Sequence, residues 1–374
     1  MQNPIYLDYN ASTPVDPRVL QEMLPYLKEK FGNPSSSHPY GVALKAGIEQ
    51  ARERVAALLG CEATEIIFTS GATESNNMVI KGVAGSAPKG SHIIASRIEH
   101  PAVLEPCHYL ERHGHAVTYL RVDEHGLVDP ADLEQAITPK TSLVTIMHAN
   151  NEVGTIQDIR VLSRIAASRG VLFHTDAAQS VGKVRVQVED LGVDFLTIAG
   201  HKFYAPKGIG ALYIKKGIKL PPMMHGAGHE RGLRPGTENA AYIAGLGAAC
   251  VIASEIMDTE GPRQMKLGRG LFDGLKRAGL KVHLNGHPEK KLPNTWNISF
   301  EGFDSIAVMD ALTGISVSPG AACHGSTVNA SPVLVAMGTD PALARGAIRF
   351  SLGRETTEVD IDEVVELLKK GLKK

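Results

Sequence analysis

The sequence predicts an α/β protein with a mostly parallel sheet in a large domain and a smaller α+β domain on its C-terminal side. Two observations lead to this class. The middle of the chain alternates short runs rich in Val, Ile and Leu with helical patterns, which is typical of strands covered by helices on both faces. From about Met257 onward, the pattern changes to an amphipathic helix, several short strands and a closing helix. A chain of 374 residues, 43% of them hydrophobic, is long and apolar enough for two domains.

The predicted elements of the large domain follow one another as strand–helix units. EIIFTS precedes GATESNNMVIKGVA, SHIIAS precedes IEHPAVLEPCHYLERHG, TSLVTIMHANNE precedes IRVLSRIAASRG, VLFHTD precedes AAQSVGK, and DFLTIAGHK leads to GIGALYIKKG. The most apolar long stretch, AAYIAGLGAACVIASEIM, is rich in Ala and Gly and ends in charge. It predicts a buried helix rather than a membrane span.

The smaller domain is predicted from residue 256 onward. RQMKLGRGLFDGLKRAG is an amphipathic helix, KVHLNG, NTWNISF and GISVSPG are strands, and TTEVDIDEVVELLKKGLKK is a helix with Thr at its start and Lys at its end. We therefore expect a large domain over residues 1–255 and a small domain over residues 256–374. The first residues of the chain, about 15, are expected to pack with the small domain.

Composition excludes several classes of function. Lys plus Arg number 39 and Asp plus Glu 40, so the net charge of -1 gives no field that attracts nucleic acid or an acidic membrane. The four cysteines, Cys61, Cys107, Cys250 and Cys323, are too scattered for a disulfide framework, and without a CxxC pair no metal site is expected. The N-terminal stretch lacks the basic start and apolar run of a signal peptide. A cytoplasmic protein is expected.

Polar side chains follow successive predicted strands, where ligands of open α/β sheets bind. Gly71, Ala72 and Thr73 open a helix, and small residues at a helix start can seat a phosphate. The later strand ends carry His100, Asn150, Asn151, Asp176, Gln179, His201 and Lys202. Taken one at a time, these residues have ordinary structural explanations. The turn at Gly71, His100 and Asp176 could each cap a helix, and Lys202 could be a solvated surface lysine. Because all of them fall on one rim, we expect a shared site.

The chemistry of that rim favours one cofactor. The sequence has no Walker motif, GxGxxG or HExxH, which disfavours a dinucleotide enzyme or a zinc hydrolase. A lysine, a carboxylate and a phosphate seat on one rim are what pyridoxal phosphate (PLP) requires. The lysine forms a Schiff base, and the carboxylate keeps the pyridine nitrogen protonated so that the ring acts as an electron sink.

The motifs resemble one known family. YLDYNASTPVDPRV, FGNPSSSH, FTSGATESNN, HANNEVGTIQDI, HTDAAQSVGK, GHKFYAPKGIGALYI, RGLRPGTEN and IRFSLGR are similar to stretches of the NifS/IscS-type cysteine desulfurases. These enzymes stand with the selenocysteine lyases among the class V aminotransferase-like enzymes of PLP fold type I. The resemblance runs from about Tyr6 to the C-terminal helix, so it implies this fold for essentially the whole chain.

The resemblance implies a cofactor role for each residue of the rim. Lys202 resembles the lysine that carries the cofactor, Asp176 the partner of the ring nitrogen, Gln179 the donor to the phenolate oxygen, and His100 the histidine stacked on the ring that also moves protons. The implied cofactor-binding set is Gly71, Ala72, Thr73, His100, Asn151, Asp176, Gln179, His201, Lys202 and Thr237. Thr237 matches a threonine that reaches the phosphate of a neighbouring subunit, which implies a homodimer.

The resemblance also implies the substrate contacts and the nucleophile. Asn33, Asn151 and Arg349 match groups that hold the substrate carboxylate, and the planar fork of an arginine suits that task. Cys323, in SPGAACHGSTVNASPV, resembles the catalytic cysteine, which attacks the sulfur of L-cysteine as a thiolate and keeps it as a persulfide for an acceptor protein. We expect it on a mobile loop, because it must reach both the substrate and the acceptor. The other three cysteines are expected to be structural.

The sequence departs from the desulfurase pattern at two places. Ala199 stands where many desulfurases have a serine of the phosphate cup, which removes a hydrogen bond worth about 1 kcal/mol. The stretches GAACH, SPVL and RPGTEN look more like animal selenocysteine lyases, and His324 either tunes the nucleophile or is a solvated loop residue. Cysteine desulfurase is favoured as the commoner activity, and selenocysteine lyase is the alternative. A PLP aminotransferase would not need Cys323, and a sulfur-transfer scaffold would not need Lys202.

Overall fold

The apolar runs of the sequence form strands in the computed structural model, which describes residues 4–319, 321–324 and 327–372, and only the backbone of residues 321–324 and 327–329. The strands are β1 Ile5–Tyr6, β2 Ile66–Thr69, β3 His92–Ser96, β4 Ala116–Leu120, β5 Thr141–Thr145, β6 Leu172–Asp176, β7 Phe195–Ala199, β8 Gly210–Ile214, β9 Val282–Asn285, β10 Thr295–Phe300, β11 Ile315–Ser316, β12 Ser318–Pro319, β13 Ala321–His324, β14 Thr327–Ala330 and β15 Ala347–Ser351.

Many helices begin with residue types that are favourable at a helix N-terminus. Six of them have proline in the first turn, and Asp, His, Ser or Thr side chains cap several of them. The helices are α1 Pro17–Lys28, α2 Pro39–Leu59, α3 Ala72–Ser86, α4 Pro101–Arg112, α5 Pro130–Ala136, α6 Ile159–Ser168, α7 Val188–Leu191, α8 Ala240–Arg277, α9 Ser305–Ala311, α10 Pro332–Ala336, α11 Pro341–Arg345 and α12 Glu358–Gly371.

The largest sheet has the strand order β2-β8-β7-β6-β5-β3-β4. Only β8 runs antiparallel to its neighbours, and the other pairs are parallel. One core cluster joins this sheet to α1, α2, α6 and α8, and another joins its opposite face to α3 and α4. The predicted α/β class with a mostly parallel, doubly covered sheet is confirmed. The carboxyl ends of its parallel strands therefore meet along one edge, where the candidate residues were expected.

A second sheet of order β12-β15-β10-β9 is antiparallel. Its core cluster combines Leu7 with residues from 267 to 372, and β1 pairs with β11 in parallel. The start of the chain thus packs with its end. The predicted domain boundary after residue 255 falls inside α8 and stays a prediction.

Helix α8 differs from the expectation, because the two helices predicted on either side of residue 257 form one helix of 38 residues. Pro262 lies inside it and removes one backbone hydrogen bond. Residues around this point are largely exposed, so water can satisfy the freed carbonyl group. By length and composition this is the one helix among the described residues that could cross a membrane. Its most apolar stretch, however, is 61% buried, as in the core helix of a soluble protein.

Two shorter segments also differ from the sequence-based expectation. Residues 178–183 form turns rather than a helix, because Gly182 adopts a φ of 78° that ends any helical run. The backbone of β13, which carries Cys323, pairs antiparallel with β14, a pairing that the sequence did not indicate, and the expected mobility of this segment stays a prediction. The Cys323 and His324 side chains lie outside the described residues.

Candidate active site

A cavity of about 600 Å³ lies at the carboxyl edge of the large sheet. Its lining includes the predicted residues Gly71, Ala72, Thr73, His100, Asn151, Asp176, Gln179, His201, Lys202 and Arg349. Asn33 and Thr237 are exposed and do not line it. The cavity therefore brings together every predicted cofactor residue except Thr237.

The turn after β2 forms an anion seat at one end of the cavity. Gly71 adopts a φ of 149°, which favours glycine, and its place at the start of α3 leaves that helix without a side-chain cap. The first backbone N–H groups of α3 thus remain available to an anion. Gly210 allows the neighbouring strand to come close, since a Cβ there would lie 2.7 Å from the Gly71 Cα atom. Thr73 adds an exposed hydroxyl.

His201 supplies a neutral side chain beside this seat. Burial, together with the charges of Lys202, Lys207 and Lys183, lowers the pKa of His201 to about 4. A neutral imidazole carries one N–H, and it can donate that hydrogen to a phosphate oxygen without adding charge. Ala199 also lines the cavity, so the methyl group that replaces the family's serine faces the site.

Asp176 lies at the end of β6 with its carboxylate fixed by two donors. The Asn76 Nδ2 atom donates to Asp176 Oδ2 at 2.7 Å, and the Ala178 backbone N–H donates to Oδ1 at 2.9 Å. The capping interpretation is therefore partly right, because Asp176 accepts from the turn that follows it. The side chain is 5% exposed, and that exposure faces the cavity. This suits a carboxylate that pairs with a protonated ring nitrogen.

Lys202 is not the solvated lysine of the alternative interpretation. Its Nζ atom donates to the backbone oxygens of Asn10 and Ala11 at 2.6 and 3.0 Å. Burial, followed by the charge of Arg349, lowers the pKa of Lys202 to about 8, against a smaller opposite effect of Asp176 and Asp8. An amine with that pKa is partly uncharged near neutral pH, so it can act as a nucleophile and as a base.

His100 is both a helix cap and a cavity residue. It precedes α4, and its Nδ1 atom accepts the Ala102 backbone N–H at 3.0 Å. In the neutral ring the proton is then assigned to Nε2. Burial and the charge of Lys202 lower the pKa of His100, and Asp176 raises it. The ring therefore favours the neutral form, which can take up or release a proton.

Asn10 was missed by the sequence reasoning, although it connects the most polar part of the site. Its backbone oxygen accepts from Lys202 and also from Gln179 Nε2 at 2.9 Å. Lys183 Nζ donates to Asn10 Oδ1 at 2.9 Å and to Gln179 Oε1 at 2.8 Å. Because the Asn10 backbone oxygen can only accept, its bond with Gln179 fixes the Gln179 amide with the NH₂ group toward Asn10. Gln179 therefore faces the site as a hydrogen-bond donor.

Arg349 lies on β15 of the small sheet and closes the other end of the cavity. Its guanidinium donates to the Asn151 backbone oxygen at 2.9 Å, to Asp8 Oδ1 at 2.7 Å and to Ser318 Oγ at 3.1 Å. Its Nε atom is buried and has no hydrogen-bond partner among the described residues. Arg349 also lines the cavity, so its planar guanidinium brings a positive charge to this end of the site.

Some candidates prove structural. Asn150 is fully buried, and its side chain bonds to the backbone of Ile98, Glu152 and Val153. Burial raises the pKa of Cys61 and Cys107 to about 12, and it also raises the pKa of Cys250. Such thiols stay protonated and inert at neutral pH. The placement of these three cysteines agrees with the structural role expected for them.

The fold and the cavity together define a PLP enzyme of fold type I. The residues fit this cofactor, because an uncapped helix start, a carboxyl group held by two donors and an amine of lowered pKa line the same cavity. The sequence of residues 5–364 matches the aminotransferase class-V family. This chain therefore belongs to the class V aminotransferase family, and PLP is its cofactor.

Individual relatives show which enzymes within this family the chain resembles. A protein named cysteine desulfurase IscS from Dictyoglomus turgidum is 49% identical over 100% of this chain and 96% of its own. A second IscS, from Pectobacterium carotovorum, is 47% identical over 100% and 93%. A solved NifS-like protein superposes with a TM-score of 0.92 at 41% identity, over 98% of both chains. A structure of SspA in complex with cysteine has a TM-score of 0.83 at 39% identity, over 93% and 98%. The resemblance to the NifS/IscS-type enzymes is confirmed.

Proposed function

We propose that the protein is a PLP-dependent cysteine desulfurase that converts L-cysteine to L-alanine and keeps the sulfur as a persulfide on Cys323. One observation carries this proposal: Lys202, Asp176 and Arg349 line the same cavity, so an amine, a carboxylate and a guanidinium are brought together there. A PLP enzyme that acts on an α-amino acid needs all three: a lysine to carry the cofactor, a carboxylate for the ring nitrogen of the cofactor, and a cation for the carboxylate of the amino acid. The IscS relatives and the cysteine complex of SspA support cysteine as that amino acid.

Each side chain has a task that its surroundings support. Bound PLP supplies a ring that stabilises negative charge at the Cα atom of an amino acid. Arg349 and Asn151 hold the substrate carboxylate, and the Lys202 Nζ atom takes the Cα proton. Asp176 pairs with the ring nitrogen, while Thr73, His201 and the backbone of Gly71 and Ala72 hold the phosphate. His100 is placed to pass a proton at its Nε2 atom.

The sulfur step is a transfer between two thiols. The Cys323 thiolate attacks the substrate sulfur, the bond between that sulfur and the substrate Cβ atom breaks, and Cβ gains a proton to give alanine. L-cysteine and the Cys323 thiol thus become L-alanine and a Cys323 persulfide, with no external oxidant or reductant. An acceptor thiol, on a partner protein such as one that assembles iron–sulfur clusters, then takes the terminal sulfur atom.

Alanine release from L-cysteine and from L-selenocysteine tests this proposal, with the wild type compared with Cys323→Ala. We expect the wild type to release alanine from both substrates, and the variant to lose at least about 10³-fold in kcat with cysteine. Cys250→Ala is the matched control, because its thiol is fully buried and should not affect turnover. If only selenocysteine reacts, the protein is a selenocysteine lyase, as its GAACH stretch suggests. If neither reacts with PLP present, transamination is the remaining PLP chemistry.

We also propose a homodimer in which Thr237 serves the partner's phosphate seat. Thr237 is exposed and does not line the cavity of its own chain. Residues 27–42 expose several large apolar side chains, and the Phe31 and Tyr40 rings lie 5.3 Å apart on this surface with 76% and 59% exposure. Such a patch favours burial against a second copy. Sedimentation equilibrium should give twice the 40.0 kDa chain mass, and a single-chain mass would contradict the dimer.

We propose a cytoplasmic location and no binding to nucleic acid or membrane. The near-zero net charge and the burial of the apolar part of α8 support this. Transfer of the terminal persulfide sulfur to an acceptor thiol also requires a reducing compartment, in which thiols stay free.

A further inference from the structure

Glu99 is a buried carboxyl group that the proposed mechanism does not use. It lies between β3 and α4, directly before His100, and is only 4% exposed. Its Oε1 atom accepts from the Ser96 hydroxyl at 2.7 Å and from the Met147 backbone N–H at 2.8 Å. Its Oε2 atom is buried without a hydrogen-bond partner, and none of the ion pairs among the described residues includes Glu99.

A second buried oxygen in this region also lacks a donor. Asn76, on α3, donates its Nδ2 hydrogen to Asp176 Oδ2, while its own Oδ1 atom has no partner among the described residues. The Met147 N–H donates to the Glu99 carboxyl group, and the next N–H, that of His148, donates to the Asp176 backbone oxygen at 2.9 Å, so the two buried residues share one region. Both of these buried oxygens lack a donor, and an ionised Glu99 has no hydrogen to offer.

The charges around Glu99 favour its protonated form. Burial, and to a smaller extent the negative charge of Asp176 on β6, raise the pKa of Glu99 to about 8 despite the hydrogen bonds from Met147 and Ser96. From α4, the neutral Cys107 thiol is the titratable neighbour. Of the two carboxyl groups, Asp176 is the better site for a negative charge, because two donors hold its oxygens and it faces the cavity.

We propose that Glu99 is a neutral carboxylic acid and a positioning residue, which donates its Oε2 hydrogen to Asn76 Oδ1 and so turns the Asn76 NH₂ group toward Asp176. The hydrogen-bond chain then runs from Glu99 through Asn76 to Asp176. It leaves a single negative charge in this buried region, on the carboxylate that meets the cofactor ring. The role of Asp176 rests on the proposed function, whereas the protonation of Glu99 does not.

The pH dependence of stability separates a neutral Glu99 from an ionised one. A carboxyl group with a raised pKa stabilises the folded state fully below the ordinary value of 4.5, and this stabilisation is lost as the pH rises toward 8. Glu99→Gln keeps a donor for Asn76 and cannot ionise. The quantity to measure is the Tm of the full-length wild type minus the Tm of Glu99→Gln. We expect this difference to fall by on the order of a few degrees between pH 5 and pH 9.

The matched control is Glu105→Gln, which changes an exposed carboxyl group on α4, six residues after Glu99. Its Tm difference from the wild type should change much less over this pH range, because its ion pair with His108 is exposed. Infrared difference spectroscopy adds a direct readout, since the wild type and Glu105→Gln should keep a protonated-carboxyl C=O band at pH 7 that Glu99→Gln lacks. A pH-independent Tm gap for Glu99→Gln, or no such band in the wild type, would overturn the proposal. Neither readout depends on turnover, so a failure of the desulfurase assignment would be seen separately.

Discussion

Lys202→Ala is expected to reduce kcat for alanine release by at least about 10⁴-fold, because one amine is both the attachment point of the cofactor and the base for the Cα proton. The structure supports this double role, since burial and Arg349 hold the pKa of Lys202 near 8. The variant should still fold, because the two bonds that the amine makes are to backbone oxygens at the cavity wall. Steady-state kinetics with L-cysteine measures the effect.

A covalent readout separates this loss from simple loss of the cofactor. After borohydride reduction, mass spectrometry should find the cofactor on the peptide that contains Lys202 in the wild type and on no peptide of the variant. Lys219→Ala removes an exposed lysine and is the matched control. Appreciable turnover by Lys202→Ala, or labelling of Lys183 instead, would contradict the assignment of the attachment lysine.

Arg349→Leu is expected to lower kcat/KM for L-cysteine by about 10³-fold, equivalent to about 4 kcal/mol, mostly through KM. The substrate carboxylate loses its partner, and Asp8, which pairs with Arg349 at 2.7 Å, is left without a cation. Removal of the arginine also raises the pKa of Lys202, because the guanidinium charge is one cause of its depression. The acidic limb of the pH–rate profile should therefore move to higher pH.

Arg349→Lys distinguishes charge from geometry in the same experiment. It keeps the positive charge but loses the planar fork, so an intermediate loss of kcat/KM is expected. Arg345→Leu changes an exposed arginine four residues earlier and should leave KM unchanged. An unchanged KM in Arg349→Leu would show that another group binds the carboxylate.

The strand-end residues of the site were predictable from the sequence because parallel strands share one direction. Once HIIAS, VLFHTD and DFLTIAG are taken as strands, the residues that follow them must meet at one edge. His100, Asp176 and Lys202 do meet there. What this reasoning could not supply was their charge state, since the pKa of Lys202 depends on Arg349, which lies on a different sheet.

The residues missed by the sequence reasoning come from segments without a strand to place them. Asp8 and Asn10 lie next to a two-residue strand near the start of the chain, and their partners lie up to 341 residues away. Lys183 could have been found, because it follows Gln179 by four residues, but a turn rather than a helix brings the two together. Glu99 gave no signal beyond its place beside His100.

Two elements show how local patterns mislead. The glycines and small polar residues around Cys323 are typical of a loop, yet backbone pairing with residues 327–330 organises residues 321–324 as a strand. The Gly-Pro pair at residues 261–262 is typical of a helix end, yet α8 continues through it. In α8, packing of its first half against α1 and α2 outweighs the cost of one proline.

The pairing of the chain's first strand with residues near its end has a consequence for biosynthesis. Asp8 and Arg349 are separated by 341 residues, and a ribosome adds about 5–20 residues per second. Roughly 20–70 s therefore pass before Asp8 meets its partner. During that time the central sheet can form, but the carboxylate-binding end of the cavity is still missing. A nascent chain therefore lacks the Asp8–Arg349 ion pair, and with it this end of the cavity, until residue 349 has been synthesised and has folded against the start of the chain.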